Sequence, residues 1–152
     1  MKLSPTSTGY NHVLGMVDHY TKLAEAVPCE DDNAEQTCDL HLMKWFARYG
    51  TPAYIQPDNG PQFAARLTQL FVQAGYIIQV FSTPEHPRTN ALVERQNRTL
   101  LNMLKVYQSR YVSEWDRHLE EVVDIYNSTV HATTGVTPYK LLTGREKPTS
   151  LG

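Results

Sequence analysis

The sequence predicts an α/β domain, a mixed sheet with helices packed on it. Three observations carry that expectation. Two short apolar runs open the chain with a tight link between them, helical and strand patterns then alternate, and helical patterns fill the remainder. A length of 152 residues suits one compact domain, and no repeat, low-complexity tract or linker interrupts it. Residues 1–152 therefore read as a single domain.

In chain order, Asn11–Tyr20 (NHVLGMVDHY) holds an apolar run of strand length, and Lys22–Val27 reads as its antiparallel partner across Tyr20-Thr21. After the polar Glu30-Asp31-Asp32-Asn33, a helical pattern runs to Tyr49, with Asp32 or Asn33 as N-cap and Gly50 beyond its end. Leu40, Met43 and Phe46–Ala47 recur there at helical spacing. Ala53–Gln56 is a short strand leading into the turn-forming Pro57-Asp58-Asn59-Gly60-Pro61. Phe63–Ala74 is helical with Leu67, Leu70 and Phe71 on one side, and Tyr76–Phe81 is another strand. Ser82–Arg88 carries two prolines and reads as irregular. Helices follow from about Asn90 to Tyr107 and from Ser113, as cap, to Tyr126. Val136–Leu142 closes the pattern as a short helix with Pro138 at its first position. Trp45, Phe46 and Trp115 are assigned to the core.

Composition narrows the function. With 14 Lys+Arg against 16 Asp+Glu, the net charge of −2 excludes nucleic-acid binding through bulk positive charge and leaves a local basic stripe possible. No uncharged apolar run approaches the roughly 18–20 residues of a membrane span, and MKLSPTSTGYN lacks the apolar stretch of a secretory signal. Cys29 and Cys38 are the two cysteines, expected as free thiols. They do not join His12 and His19 as a zinc set, because their spacing is not that of a Cys-x₂₋₄-Cys pair.

Two carboxylates stand out. Asp58 follows a strand inside a Gly/Pro turn, the place where active sites of α/β proteins gather, although Asp-Asn-Gly is also ordinary turn sequence. Glu94 lies off the apolar stripe of its helix, formed by Val93, Leu100, Leu104 and Tyr107. Arg98 and Lys105 share its face and Arg95 lies beside it. Between Arg88 and Arg110 the chain has five basic residues and one acid, a local charge of +4 in a mildly acidic protein. This segment reads either as a solvated face with a weak Glu94–Arg98 pair or as a phosphate-tracking helix carrying one metal-binding carboxylate.

Asp58 and Glu94 are separated by 35 residues and flanked by Pro57-Asp58-Asn59-Gly60-Pro61-Gln62-Phe63 and by His86-Pro87-Arg88-Thr89-Asn90-Ala91-Leu92-Val93-Glu94-Arg95-Gln96-Asn97-Arg98. With Val17-Asp18-His19-Tyr20-Thr21-Lys22 upstream, and Trp115-Asp116, Tyr126-Asn127, His131, Thr134-Gly135, Pro138 and Gly144-Arg145 downstream, the chain resembles the catalytic core of retroviral and long-terminal-repeat retrotransposon integrases of the Ty3/gypsy type. The resemblance implies an RNase H-like fold with a mixed five-stranded sheet and a homodimer. It further implies metal-dependent trimming of DNA 3′ ends and their transfer into target DNA, with Asp58 and Glu94 binding Mg²⁺ or Mn²⁺. Asn59, Arg88, Asn90, Arg95, Arg98 and Lys105 become the expected DNA contacts, and residence in a cytoplasmic particle and then the nucleus is implied too.

The family uses a third carboxylate on its opening strand, expected here just upstream of Met1. Asp18 belongs to the following segment, where the family's Asp is not a ligand. The chain is thus expected to be either a piece of an active integrase or an integrase-derived DNA- or protein-binding module without chemistry. Pro57 in place of Ser or Thr, and Ala91-Leu92 in place of Gly-Gln, are further departures.

Overall fold

The computed structural model describes the backbone of residues 2–30, 34–57, 61–81 and 87–148, with side chains throughout except at 34 and 87–97. In chain order the elements are β1 (His12–Val17), β2 (Ala24–Cys29), α1 (Ala34–Tyr49), β3 (Tyr54–Ile55), α2 (Pro61–Gln73), β4 (Gln79–Val80), α3 (Pro87–Arg110), a 3₁₀ turn (Trp115–His118), α4 (Leu119–Ser128) and α5 (Pro138–Thr143). The pairings are mixed, as expected. β1 and β2 are antiparallel in the register His12↔Cys29 to Val17↔Ala24, and β3 runs parallel to β4 with Tyr54 opposite Gln79. Lys2 forms an antiparallel bridge to His12 on the other side of β1. The described residues therefore hold four strands and this bridge, in place of the five full strands expected.

Two compact units emerge, Met1–Asp32 with Val93–Gly152, and Asn33–Leu92. In the first, the core is Leu3, Val13, Ala24, Leu100, Leu104, Trp115, Leu119, Val122 and Tyr126. Leu100 and Leu104 are one turn apart on α3, and Leu119, Val122 and Tyr126 follow an i, i+3, i+7 line on α4, so each helix contributes one apolar stripe. Trp115 fixes the N-terminal segment as well: its indole N–H donates to the Ser4 carbonyl at 2.8 Å. Next to it the Asp116 carboxylate accepts from the Thr8 hydroxyl at 2.7 Å.

The second unit packs α1 on α2. Cys38, Leu42 and Phe46 face inward from α1, and Ala64, Leu67 and Phe71 from α2. Phe46 sits 5.5 Å from the Phe71 ring and 5.3 Å from that of Tyr76, within the range of favourable aromatic pairs. Arg66 crosses between the helices to Asp39 at 2.9 Å and Glu35 at 3.5 Å while covering the Phe63 ring. Gly75, at φ +80°, ends α2: Tyr76 N–H reaches the Phe71 carbonyl at 2.8 Å and Gly75 N–H that of Val72 at 3.1 Å, the paired bonds of a left-handed C-terminal cap.

Several elements differ from the sequence expectation. Leu40 is 57% exposed, because the inward line of α1 is Cys38–Leu42–Phe46. Trp45 is half-buried, packing edge-on against Tyr49. β2 starts two residues late because Lys22 takes φ +65° in the turn, a conformation no strand residue adopts. The helix expected from Ser113 is divided into the 3₁₀ turn and α4, and Glu114, without a side-chain cap, precedes the first. α3 begins at Pro87, a residue assigned to the irregular stretch, since proline fits the first helical turn, where no backbone N–H is needed.

The tail is organised by local polar groups. Thr137 caps α5, its hydroxyl accepting from Lys140 N–H at 3.1 Å ahead of Pro138, and Gly144 ends the helix at φ +77°. Before it, the His131 carbonyl accepts from Gly135 N–H at 2.9 Å and its Nδ1 accepts from Thr133 N–H at 3.2 Å. Burial and the neighbouring Lys22 ammonium hold the His131 imidazole below its usual range, while burial also lowers Lys22 and Asp18 partly restores it. A neutral ring is required to accept at Nδ1, so below about pH 6.5 the unfolded chain takes up the proton first and stability falls with pH. Between about pH 7.5 and 5.5 the wild-type melting temperature should drop further than that of His131→Gln. Equal drops would remove His131 as the source.

Candidate functional site

Asp58 and Asn59 lie outside the described residues, as do the side chains of Arg88, Asn90, Glu94 and Arg95. The elements that lead to them are described. β3 (Tyr54–Ile55) ends three residues before Asp58, and α2 begins three residues after it, a strand–loop–helix order. In parallel α/β arrangements the carboxyl ends of strands are where ligands bind. Position 94 falls within α3, which runs unbroken from Pro87 to Arg110.

The second half of α3 shows the expected basic face. Arg98 and Lys105 are exposed, together with Asn102 and Ser109, and spacings of four, three and four residues place these four on one line. The line lies across the helix from buried Leu100 and Leu104. Arg98 and Lys105 are seven residues apart, about 10.5 Å along the axis, close to three base-pair steps of roughly 3.4 Å. Neither makes an ion pair with another described residue. Asn102 and Ser109 were missed at the sequence level, although the same periodicity that selected Arg98 and Lys105 contains them. At the end of α3, Tyr111 stacks on His118 at 4.0 Å and Tyr107 donates to Glu121, fastening the helix terminus to the 3₁₀ turn and α4. Three of the five acids between 114 and 124 are engaged in pairs: Glu114 with Arg117, Glu121 with His118 and Asp124 with Lys147.

Asp18 is a turn residue. Its Oδ2 accepts from both the backbone N–H and the hydroxyl of Thr21 at 2.7 Å, its N–H donates to Leu23 and its carbonyl accepts from Lys22. These bonds stabilise the unusual backbone of Lys22, whose ammonium donates to the His19 carbonyl. Among the described residues no three His, Cys, Asp or Glu side chains come together as a metal cluster. Cys29 and Cys38 are buried, unbridged thiols.

Comparison with known proteins agrees across most of the chain. The family model described as "Integrase core domain" matches residues 2–87. The Transposon Tf2-3 polyprotein of Schizosaccharomyces pombe is 32% identical over 139 residues, 91% of this chain and 10% of that polyprotein. The chain thus spans about a tenth of the length of the curated relatives it matches. The crystal structure of the catalytic core domain of BIV integrase superposes with a TM-score of 0.67 at 25% identity, covering 87% of this chain and 85% of the other. The HTLV-2 integrase catalytic core domain, solved in complex with magnesium in a trimeric form, gives 0.65 at 19% identity over 91% and 90%. These likenesses establish the RNase H-like α/β fold.

The bonds of Asp18 make it a support of the hairpin turn. Asp18→Ala should cost about 1–3 kcal/mol of stability in urea unfolding, and Asp18→Asn, which keeps an acceptor oxygen, less. Mn²⁺ affinity should be the same in both variants as in wild type. A variant that binds Mn²⁺ tenfold more weakly while unfolding at the wild-type urea concentration would make Asp18 a ligand.

Proposed function

This chain belongs to the integrase core domain family, and from that premise we propose that it is the core of a retrotransposon integrase that trims the 3′ ends of element DNA and joins them to target DNA. The observation carrying this reading is the match of the family model over residues 2–87, a span that contains Asp58 and the residues flanking it. The helix that follows supports it: α3 contains position 94 and continues into a solvent-facing line of Arg98, Asn102, Lys105 and Ser109.

In this reading Asp58 and Glu94 are the metal-holding residues. Both are hard carboxylate donors, the class that Mg²⁺ or Mn²⁺ takes in preference to thiolate or imidazole. A divalent ion bound there would supply Lewis-acid stabilisation of charge on phosphate oxygens. The chain's own contribution is to bind and orient the nucleic acid. Arg98 and Lys105, with Arg88 and Arg95 earlier in α3, neutralise backbone phosphates, and Asn59 and Asn90 are assigned as further DNA contacts. Phosphate contacts of this kind fix register without reading sequence. Element ends and target DNA are the partners, the working form is a homodimer, and the site of action is the nucleus after passage through a cytoplasmic particle.

Two measurements test this. Asp58→Asn and Glu94→Gln should each weaken Mn²⁺ binding by at least about tenfold without lowering the melting temperature. Retention of full affinity in both overturns the metal assignment. For DNA, the double variant Arg98→Ala/Lys105→Ala should weaken binding to every sequence and reduce the slope of log K against log salt by about 2, near 0.9 for each lost phosphate contact. An unaltered slope would show that this face of α3 does not meet the backbone.

A further inference from the structure

The Asn127 side chain makes two hydrogen bonds to one residue of β2. Its Oδ1 accepts from the Ala24 N–H at 2.9 Å, and its Nδ2 donates to the Ala24 carbonyl at 2.8 Å. A carboxamide has the donor and acceptor of a peptide group, and this pair of bonds is what a neighbouring strand would make at that position. Asn127 is the penultimate residue of α4, whose Val122 and Tyr126 are packed in the same core as Ala24, so the side chain is delivered by a rigid element.

The geometry of β2 explains what this accomplishes. At the turn, the Asp18 N–H bonds to the Leu23 carbonyl, so Leu23 faces β1 and Ala24 faces the outer edge. Strand residues alternate between edges, so Ala26 and Pro28 share the outer edge with Ala24. Pro28 has no N–H to offer, a common device on exposed edges. Among the described residues Ala26 is left alone between a plugged position and a donor-less one, and a single residue does not support a ladder. We infer that Asn127 is a surrogate strand that closes the outer edge of β2, and that its removal opens this edge to the same edge of a second copy of this chain. Ala24 and Ala26 of one copy would then face Ala26 and Ala24 of the other, an antiparallel and self-complementary pairing with four backbone bonds.

Hydrogen exchange and sedimentation test it. In the wild-type chain, the Ala24 amide should exchange at least about tenfold more slowly than an unstructured amide. In Asn127→Ala that protection should vanish at micromolar concentration. The weight-average mass should then rise with concentration to twice the wild-type value, and Ala24 and Ala26 should become protected together in the associated form. Asn127→Asp, which keeps the acceptor and loses the donor, should show an intermediate rise. An Asn127→Ala variant with native circular dichroism and the wild-type mass at every concentration overturns the association. If neither variant folds, the wild-type amide decides alone, and exchange of Ala24 at the unstructured rate overturns the closure.

Discussion

A two-stranded hairpin cannot stand in water by itself; it needs an apolar cover on one face and partners for its outward backbone groups. That constraint shapes the unit formed by Met1–Asp32 and Val93–Gly152. Leu100 and Leu104 from α3, and Leu119, Val122 and Tyr126 from α4, join Val13 and Ala24 in a single buried cluster. Asn127 then satisfies the edge of β2 from the end of α4. Burial of the apolar side chains supplies the free energy, on the order of 1.5–3 kcal/mol for each large one, and the apolar pattern with the geometry of the Asp18 turn sets the register.

The same constraint divides the family's motif residues into two sets. Asp18, Trp115, Asp116, Asn127 and His131 are quoted in the resemblance, and the structure commits each to the scaffold: a turn, the N-terminal segment, a strand edge and a loop. In the proposed reading the second set is Asp58, Glu94 and the basic line of α3. The scaffold's polar residues are committed to one another, so under the proposed function substitutions in the two sets should separate into stability and binding effects.

How much of this was legible beforehand depended on the range of the interaction. Hairpin order, helix periodicity and Pro138 at the first position of α5 are local, and the sequence states them. The inward line of α1 is not local: Leu40 and Leu42 are both leucines two residues apart, and only the partner helix carrying Leu67 and Phe71 selects the Cys38–Leu42–Phe46 side. The start of β2 was placed early because Lys22 has no intrinsic preference for a left-handed backbone. The Asp18 carboxylate and the His19 carbonyl stabilise that conformation from outside. Ser113 looked like a cap in isolation, yet its carbonyl is used by Ser7 N–H at 2.9 Å, a contact across 106 residues of chain.

The sequence by itself determined the family, the α/β alternation, the two separated carboxylates and the basic stripe of α3, because each is a matter of residue type at fixed spacing along one element. Tertiary structure decided which polar residues are scaffold. The commitment of Asn127 to Ala24, of Trp115 to Ser4 and of Asp116 to Thr8 joins positions more than 100 residues apart. Hydrogen bonds of that kind have no periodicity to read, since they exist only after the apolar core has brought their partners to within 3 Å.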